Sequence, residues 1–144
     1  MSAEANKALV LGFLASWNRG DFGAMTCHWS PDMVHHTRTS TYGPAEVFGL
    51  ISGFMRAFPD LKFEVDNIVA DGEYVATRMT ARATHRHDFM GLPATGKEIT
   101  CTAMGLVRIV DGRIVEHWSL MDELYLMQQL HLVPDDYLSA MASS

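Results

Sequence analysis

The sequence predicts an α+β domain, three helices followed by two long β-hairpins and a closing helix. Two observations carry that expectation. Up to residue 58 the large apolar residues recur at intervals of three and four, whereas from residue 61 the period drops to two and Asp-Gly pairs at 71–72 and 111–112 punctuate the β-rich runs.

In residues 4–19, Leu9, Phe13 and Trp17 stand four apart with Val10 and Leu14 beside them, and Gly20 suits a helix C-terminus. Asp21 is a good N-cap for a short second helix reaching about Trp29 and stopped by Pro31. "MVHHT" reads as a brief strand. From Gly43-Pro44 a third helix is expected, because Val47, Leu50, Ile51, Phe54 and Phe58 keep helical spacing until Pro59. "LKFEVDNIVADGEYVATRMTARATH" and "KEITCTAMGLVRIVDGRIVEHWSL" each read as a hairpin turning at Asp-Gly. "MGLPATG" links them as a loop, and "ELYLMQQL" closes as a helix. The order ααβαββββα implies a curved, mostly antiparallel sheet with helices packed on one face.

The 144 residues suit one domain, 1–144, and 48% apolar with 19% charged residues is globular composition. A formal net charge of −6 argues against a phosphate-backbone partner, so nucleic acid is not expected. No apolar run approaches the roughly 18 residues of a membrane span, and "MSAEANKALVLGFL" lacks the marks of a secretion signal, so a cytoplasmic, membrane-free protein is expected. Cys27 and Cys101 are too far apart for a CxxC site and read as buried small hydrophobes. Neither GxGxxG nor GxxxxGK[ST] occurs.

Alternate residues of a strand face opposite sides. In 100–109 one row is Cys101, Ala103, Gly105, Val107 and Ile109, small in its first half. Facing the helices, that row either leaves a cavity or is filled by Trp17, Phe54 or Phe58, because interiors pack densely. The next strand sets Val115, His117, Ser119 and Met121 against Ile114, Glu116, Trp118 and Leu120. Periodicity does not choose between them, but Trp118, Ile114 and Leu120 on the outside would form an apolar patch fit for a homodimer through the sheet.

"SWNRGD" at 16–21, "SPDMVHH" at 30–36, "GPAEV" at 43–47, "THRHDFMGLPATGK" at 84–97 and "VDGRIVEHWSLMDELYLMQQL" at 110–130 together resemble the SnoaL-like polyketide cyclase family. That family lies within the superfamily that also holds nuclear transport factor 2 and ketosteroid isomerase. The resemblance implies a cone-shaped α+β barrel, its helices on the concave face of the sheet around a cavity that binds an aromatic polyketide without metal or organic cofactor. It also implies that the His117/Ser119 row points inward, and that Trp17 borders the cavity.

Three departures matter. The family's cyclases carry an acid/base Asp two residues after the His of the "EH" pair, where this chain has Ser119. A supporting His and Gln align with Gly105 and Ala103, and a cavity Asn aligns with His35. These changes resemble the branch associated with hydroxylation in anthracycline biosynthesis. The resemblance therefore implies a hydroxylase of a polycyclic aromatic intermediate, using molecular oxygen with an external reductant or a separate reductase. The alternatives are a cyclase acting by intramolecular aldol condensation and a non-catalytic small-molecule binding module.

Imidazole is the side chain whose ordinary pKa lies near neutrality, so His117 and His35 are the expected proton carriers. Asp122 either inherits the acid's role or caps the last helix. Ser119, Ala103, Gly105 and Met121 line the expected site, with Met90 and Leu92 as an apolar lip. His85 and His87, two apart, would share a strand face, but no third ligand accompanies them and no metal is expected.

Overall fold

A computed structural model describes residues 2–134; residues 1 and 135–144 of the expected domain lie outside the described residues. Helix α1 (Ala3–Asn18) starts where the Ser2 hydroxyl accepts the Ala5 N–H at 3.1 Å, and it ends before Gly20, whose φ of 73° reverses the chain. Asp21 caps α2 (Phe22–Thr26) by accepting the Ala24 N–H at 3.0 Å. This helix is shorter than expected because Trp29 already belongs to β1 (Trp29–His36). β1 runs through Pro31, which is tolerated because the register with the neighbouring strand shifts between Trp29 and Val34. A two-residue strand β2 (Thr41–Tyr42), too short to leave a periodic signal, pairs with His35 and His36.

Helix α3 (Pro44–Ala57) begins with proline in its first turn, as expected. Its buried stripe is narrower than the sequence suggested: Leu50 is 48% exposed, while Val47 and Phe58 are buried and Ile51 and Phe54 pack against them. The hairpins are β3 (Lys62–Asp71) with β4 (Tyr74–Thr84), and β5 (Glu98–Val110) with β6 (Arg113–Met121); α4 (Glu123–Gln129) follows. Both turns are two-residue loops of different kinds. Asp111 and Gly112 both have positive φ, the pattern of a type I′ turn, whereas in the first hairpin the turn pair is Gly72-Glu73 and Gly72 alone is positive, as in type II′.

The six strands form one curved sheet in the order β2-β1-β6-β5-β4-β3, antiparallel except for the β1–β6 pair. It is α+β as expected, but the sheet is open, with β2 and β3 as edges rather than a closed barrel. The core lies on one face, where Val75, Met79, Ala81 and Ala83 of β4 and Cys101, Ala103, Val107 and Ile109 of β5 meet Val10, Leu14 and Trp17 of α1 and Phe58 at the end of α3. Cys101 is buried as expected, but Cys27 is exposed, its thiol donating to the Ala24 carbonyl.

One bulge decides which side chains face that core. Ile109 pairs with Ile114 and Arg108 with Glu116, so Val115 is an extra residue on β6. Ile114 is therefore inside, 2% exposed, rather than on the outer patch with Trp118 and Leu120. Past the bulge, His117 opposes Val107 and Ser119 opposes Gly105, both on the inner face.

Two amide side chains finish the sheet where strands run out. On edge strand β3, Phe63 donates to Asn18 Oδ1 at 2.9 Å while Asn18 Nδ2 donates to the Phe63 carbonyl at 2.8 Å. On β5, beyond the end of β6, Gln129 makes the same reciprocal pair with Thr100 at 3.0 and 2.7 Å. Each amide occupies the place of a missing strand residue and ties a helix to the sheet. Asn18→Ala and Gln129→Ala should each lower unfolding free energy by about 1–3 kcal/mol in denaturant titrations, because each leaves two partly buried backbone groups unpaired.

Candidate functional site

The inner face carries an unusual pair. His35 on β1 and His117 on β6 are register partners, and their Nδ1 atoms stand 2.9 Å apart with ring centroids at 4.8 Å. A bond between two Nδ1 atoms needs one to donate and the other to accept, so neutral rings must hold opposite tautomers. Burial pushes His117 down to about 3, and His35 beside it adds to the effect. Burial also lowers His35, with His36 adding to it. Neither Nε2 has a protein partner, and neither is sealed off: among the described residues the buried side-chain polar atoms without a partner are Asn6 Oδ1 and His85 Nε2. The two rings thus bond to each other and leave both outer nitrogens accessible.

Beside the pair, Ser119, Gly105 and Thr77 form the next row across β6, β5 and β4. A β-carbon on Gly105 would meet Thr77 Oγ1 at 3.2 Å and Met79 Cε at 3.8 Å, so Met79 fills part of the volume that the small row gives up. Trp17 does not fill it, since that ring packs on Phe22 and Phe63. Ser119 is exposed although it faces inward, so the concave face is open at this end. Met121 and Ala103 make the following row with Met79. Thr77 escaped the sequence reading because its place opposite Gly105 depends on the register between the two hairpins.

Other expected site residues lie elsewhere. Asp122 is exposed and caps α4, its Oδ1 accepting the Tyr125 N–H at 3.1 Å. Trp17 is 7% exposed within the core, and its indole N–H donates to the Leu61 carbonyl at 3.2 Å. Met90 and Leu92 belong to a tight turn, closed by hydrogen bonds of 3.0 and 2.9 Å between Phe89 and Leu92, with Met90 at its tip 72% exposed. That turn follows the far end of β4, nine residues from Val75, which shares a row with Val107 and His117; this is an along-strand path of roughly 30 Å. His85 and His87 fall after β4 rather than on a strand face. His85 is buried, and its Nδ1 accepts the Thr95 N–H at 3.3 Å, so it organises the loop. Among the described residues no group of three His, Cys, Asp or Glu is placed to hold a metal.

Among the described residues no carboxylate bonds to the histidine pair. Glu116 points to the outer face, held by His36 Nε2 at 2.8 Å and by Arg108 Nε at 2.7 Å, and these partners keep its carboxyl below the ordinary range. An open groove of about 470 Å³ at the junction of α2, β1 and α3 is lined by Trp29, Pro31, Pro44 and Phe48 among others. It contains hydroxyls but no titratable side chain.

Known proteins of this shape agree with that fold. AclR, a candidate hydroxylase from Streptomyces galilaeus, superposes with a TM-score of 0.88 at 39% identity, over 92% of this chain and 100% of that one. IdmH, a candidate polyketide cyclase from Streptomyces antibioticus, gives 0.80 at 32% identity over 88% and 98%. In sequence, aklanonic acid methyl ester cyclase DnrD of Streptomyces peucetius is 33% identical over 60 residues, spanning 42% of this chain and 41% of that protein. Less than half of that relative is therefore matched. The model of the SnoaL-like polyketide cyclases matches residues 7–130, and the chain belongs to that family.

Proposed function

We propose that this chain modifies an aromatic polyketide of the anthracycline type, hydroxylating a polycyclic ring, and that it works as a homodimer. One observation carries the hydroxylase reading: the inner row holds Ser119 where the cyclases have their acid, and the nearby carboxylates are a helix cap, Asp122, and an outward ion pair, Glu116. A serine hydroxyl cannot exchange protons usefully near neutrality, so the aldol route lacks its usual carboxylate. The similarity to AclR over nearly the whole of both chains supports the same choice.

The substrate does the difficult part. An electron-rich phenol or dihydroquinone, once its proton is withdrawn, reduces oxygen and takes up one oxygen atom at a ring carbon. The other oxygen leaves as water, with two electrons and two protons from an external reductant or a separate reductase. The protein supplies the accessible imidazole nitrogens of His35 and His117, an open face over Gly105, and hydroxyls at Ser119 and Thr77 to orient the ring.

The outer face supplies the reason for a dimer. Trp118, Leu106, Ala76 and Val69 align in one row across four strands, and Leu120, 76% exposed, and Met104, 54% exposed, stand in the next. Such a continuous apolar stripe suits a second copy of the same sheet.

Incubation with an anthraquinone-type tricyclic or tetracyclic precursor should give a mass gain of roughly 16 units that requires oxygen and a reductant. Ring closure without oxygen would instead establish the cyclase, and binding without turnover the binding module. Ser119→Asp should lower the hydroxylation rate and introduce measurable oxygen-independent ring closure. Leu106→Asp should shift the protein from dimer to monomer in analytical ultracentrifugation while leaving its far-ultraviolet circular dichroism unchanged.

A further inference from the structure

We propose that His35 and His117 form a single two-ended proton relay, which takes a proton from an enolisable polyketide at one Nε2 and returns a proton to it at the other. The proposal rests on the reading that a polyketide occupies this face, but its chemistry does not require hydroxylation.

The geometry leads there directly. With Nδ1 atoms 2.9 Å apart, the ring that donates its Nδ1–H has a bare Nε2, and the ring that accepts has its proton on Nε2. The pair therefore always holds one bare and one protonated outer nitrogen. Among the described residues both outer nitrogens lack a hydrogen-bond partner without being sealed. His35 and His117 sit side by side on adjacent strands with ring centroids 4.8 Å apart and their outer nitrogens farther apart than that, so the relay calls for a substrate long enough to lie across both rings.

The transfer balances. A C–H or phenolic O–H proton of the substrate moves to the bare Nε2 of the first ring. That ring's Nδ1 proton crosses to Nδ1 of the second, whose Nε2 proton passes to a carbonyl oxygen of the same substrate. One C–H or O–H bond is broken and one O–H bond is formed, and no electrons change hands. The rings end with exchanged tautomers, and proton exchange with water at the two Nε2 atoms resets them.

Neutrality is what the surroundings favour. Val107 and Val75 continue the histidine row across β5 and β4, Ser119 and Thr77 flank it, and the polar neighbours His36, Glu116 and Arg108 face the other side of the sheet. A lone imidazole base would have to become imidazolium in this setting, with no carboxylate of the described residues bonded to it. A relay avoids that state, because the proton accepted at one end is matched by the proton released at the other.

Two measurements test it. In nitrogen-15 NMR spectra of the ligand-free protein, one of the two rings should be protonated at Nδ1 and the other at Nε2, and both should stay neutral below the ordinary imidazole range. Identical tautomers, or either ring protonating near the ordinary pKa of about 6.5, would overturn the relay. Under anaerobic conditions in deuterium oxide, the protein should speed deuterium incorporation at the enolisable carbon of a hydroxyanthrone. His35→Asn, His117→Asn and the double variant should all lose that acceleration by the same factor, about 100-fold or more, with KM little changed. Additive losses, or one single variant retaining most of the rate, would show independent histidines. Because this exchange needs no oxygen, failure of hydroxylation and failure of the relay are separable.

Discussion

The extra residue at Val115 governs everything the inner face can do. Without that bulge, Ile114 and His117, three apart in sequence, would point to opposite sides of β6; with it, both face the helices. Ile114 anchors the base of the strand in the core beside Ile109 and Trp29. Beyond the bulge, His117 meets His35 across the parallel pair while Glu116 and Trp118 turn outward. A single inserted residue thus allows one short strand to supply a core anchor, an inward histidine and an outer apolar surface.

The two faces divide the polar chemistry according to its electrostatic cost. On the outside, His36, Glu116, Arg108 and Glu73 form a hydrogen-bonded chain, with contacts of 2.8, 2.7 and 3.2 Å, where solvent moderates the charge of the carboxylates and the guanidinium. His36 also stacks on Trp118 at 4.7 Å, which fixes the indole flat along the sheet. On the inside the same alternation leaves two imidazoles and a few hydroxyls, groups that remain neutral in an apolar setting. The site is therefore better suited to moving protons between neutral partners than to holding an ion.

Much of this was legible in the residues, and the limits have physical causes. Helix spacing and turn chemistry located α1, α3 and both hairpins, because period and glycine-containing turns are local properties. The extent of β1 was not local: Pro31 reads as a stop, yet it is tolerated where pairing to β6 is irregular. His117 and His35 were chosen for their pKa, but that they bond to one another follows only from the parallel pairing of strands some 80 residues apart, which no short-range pattern encodes. Thr77 was missed for a related reason, since the loop between the hairpins does not set the β4–β5 register. Trp17, Met90 and Leu92 carry apolar bulk that suits a cavity wall as well as a core or a loop tip, and only tertiary contacts distinguish these.

The replacement of a carboxylate by Ser119 acquires its meaning from the histidine pair. A carboxylate at that position would lie one step along β6 from His117 and would favour an imidazolium there, converting the dyad into an ion pair with a proton trapped between acid and base. A hydroxyl does not bias the rings in that way. It leaves His35 and His117 to share one proton between their inner nitrogens. Ser119 and the facing of two histidines thus act together on the electrostatics of this face, which carries neutral groups where a carboxylate would favour an ion pair.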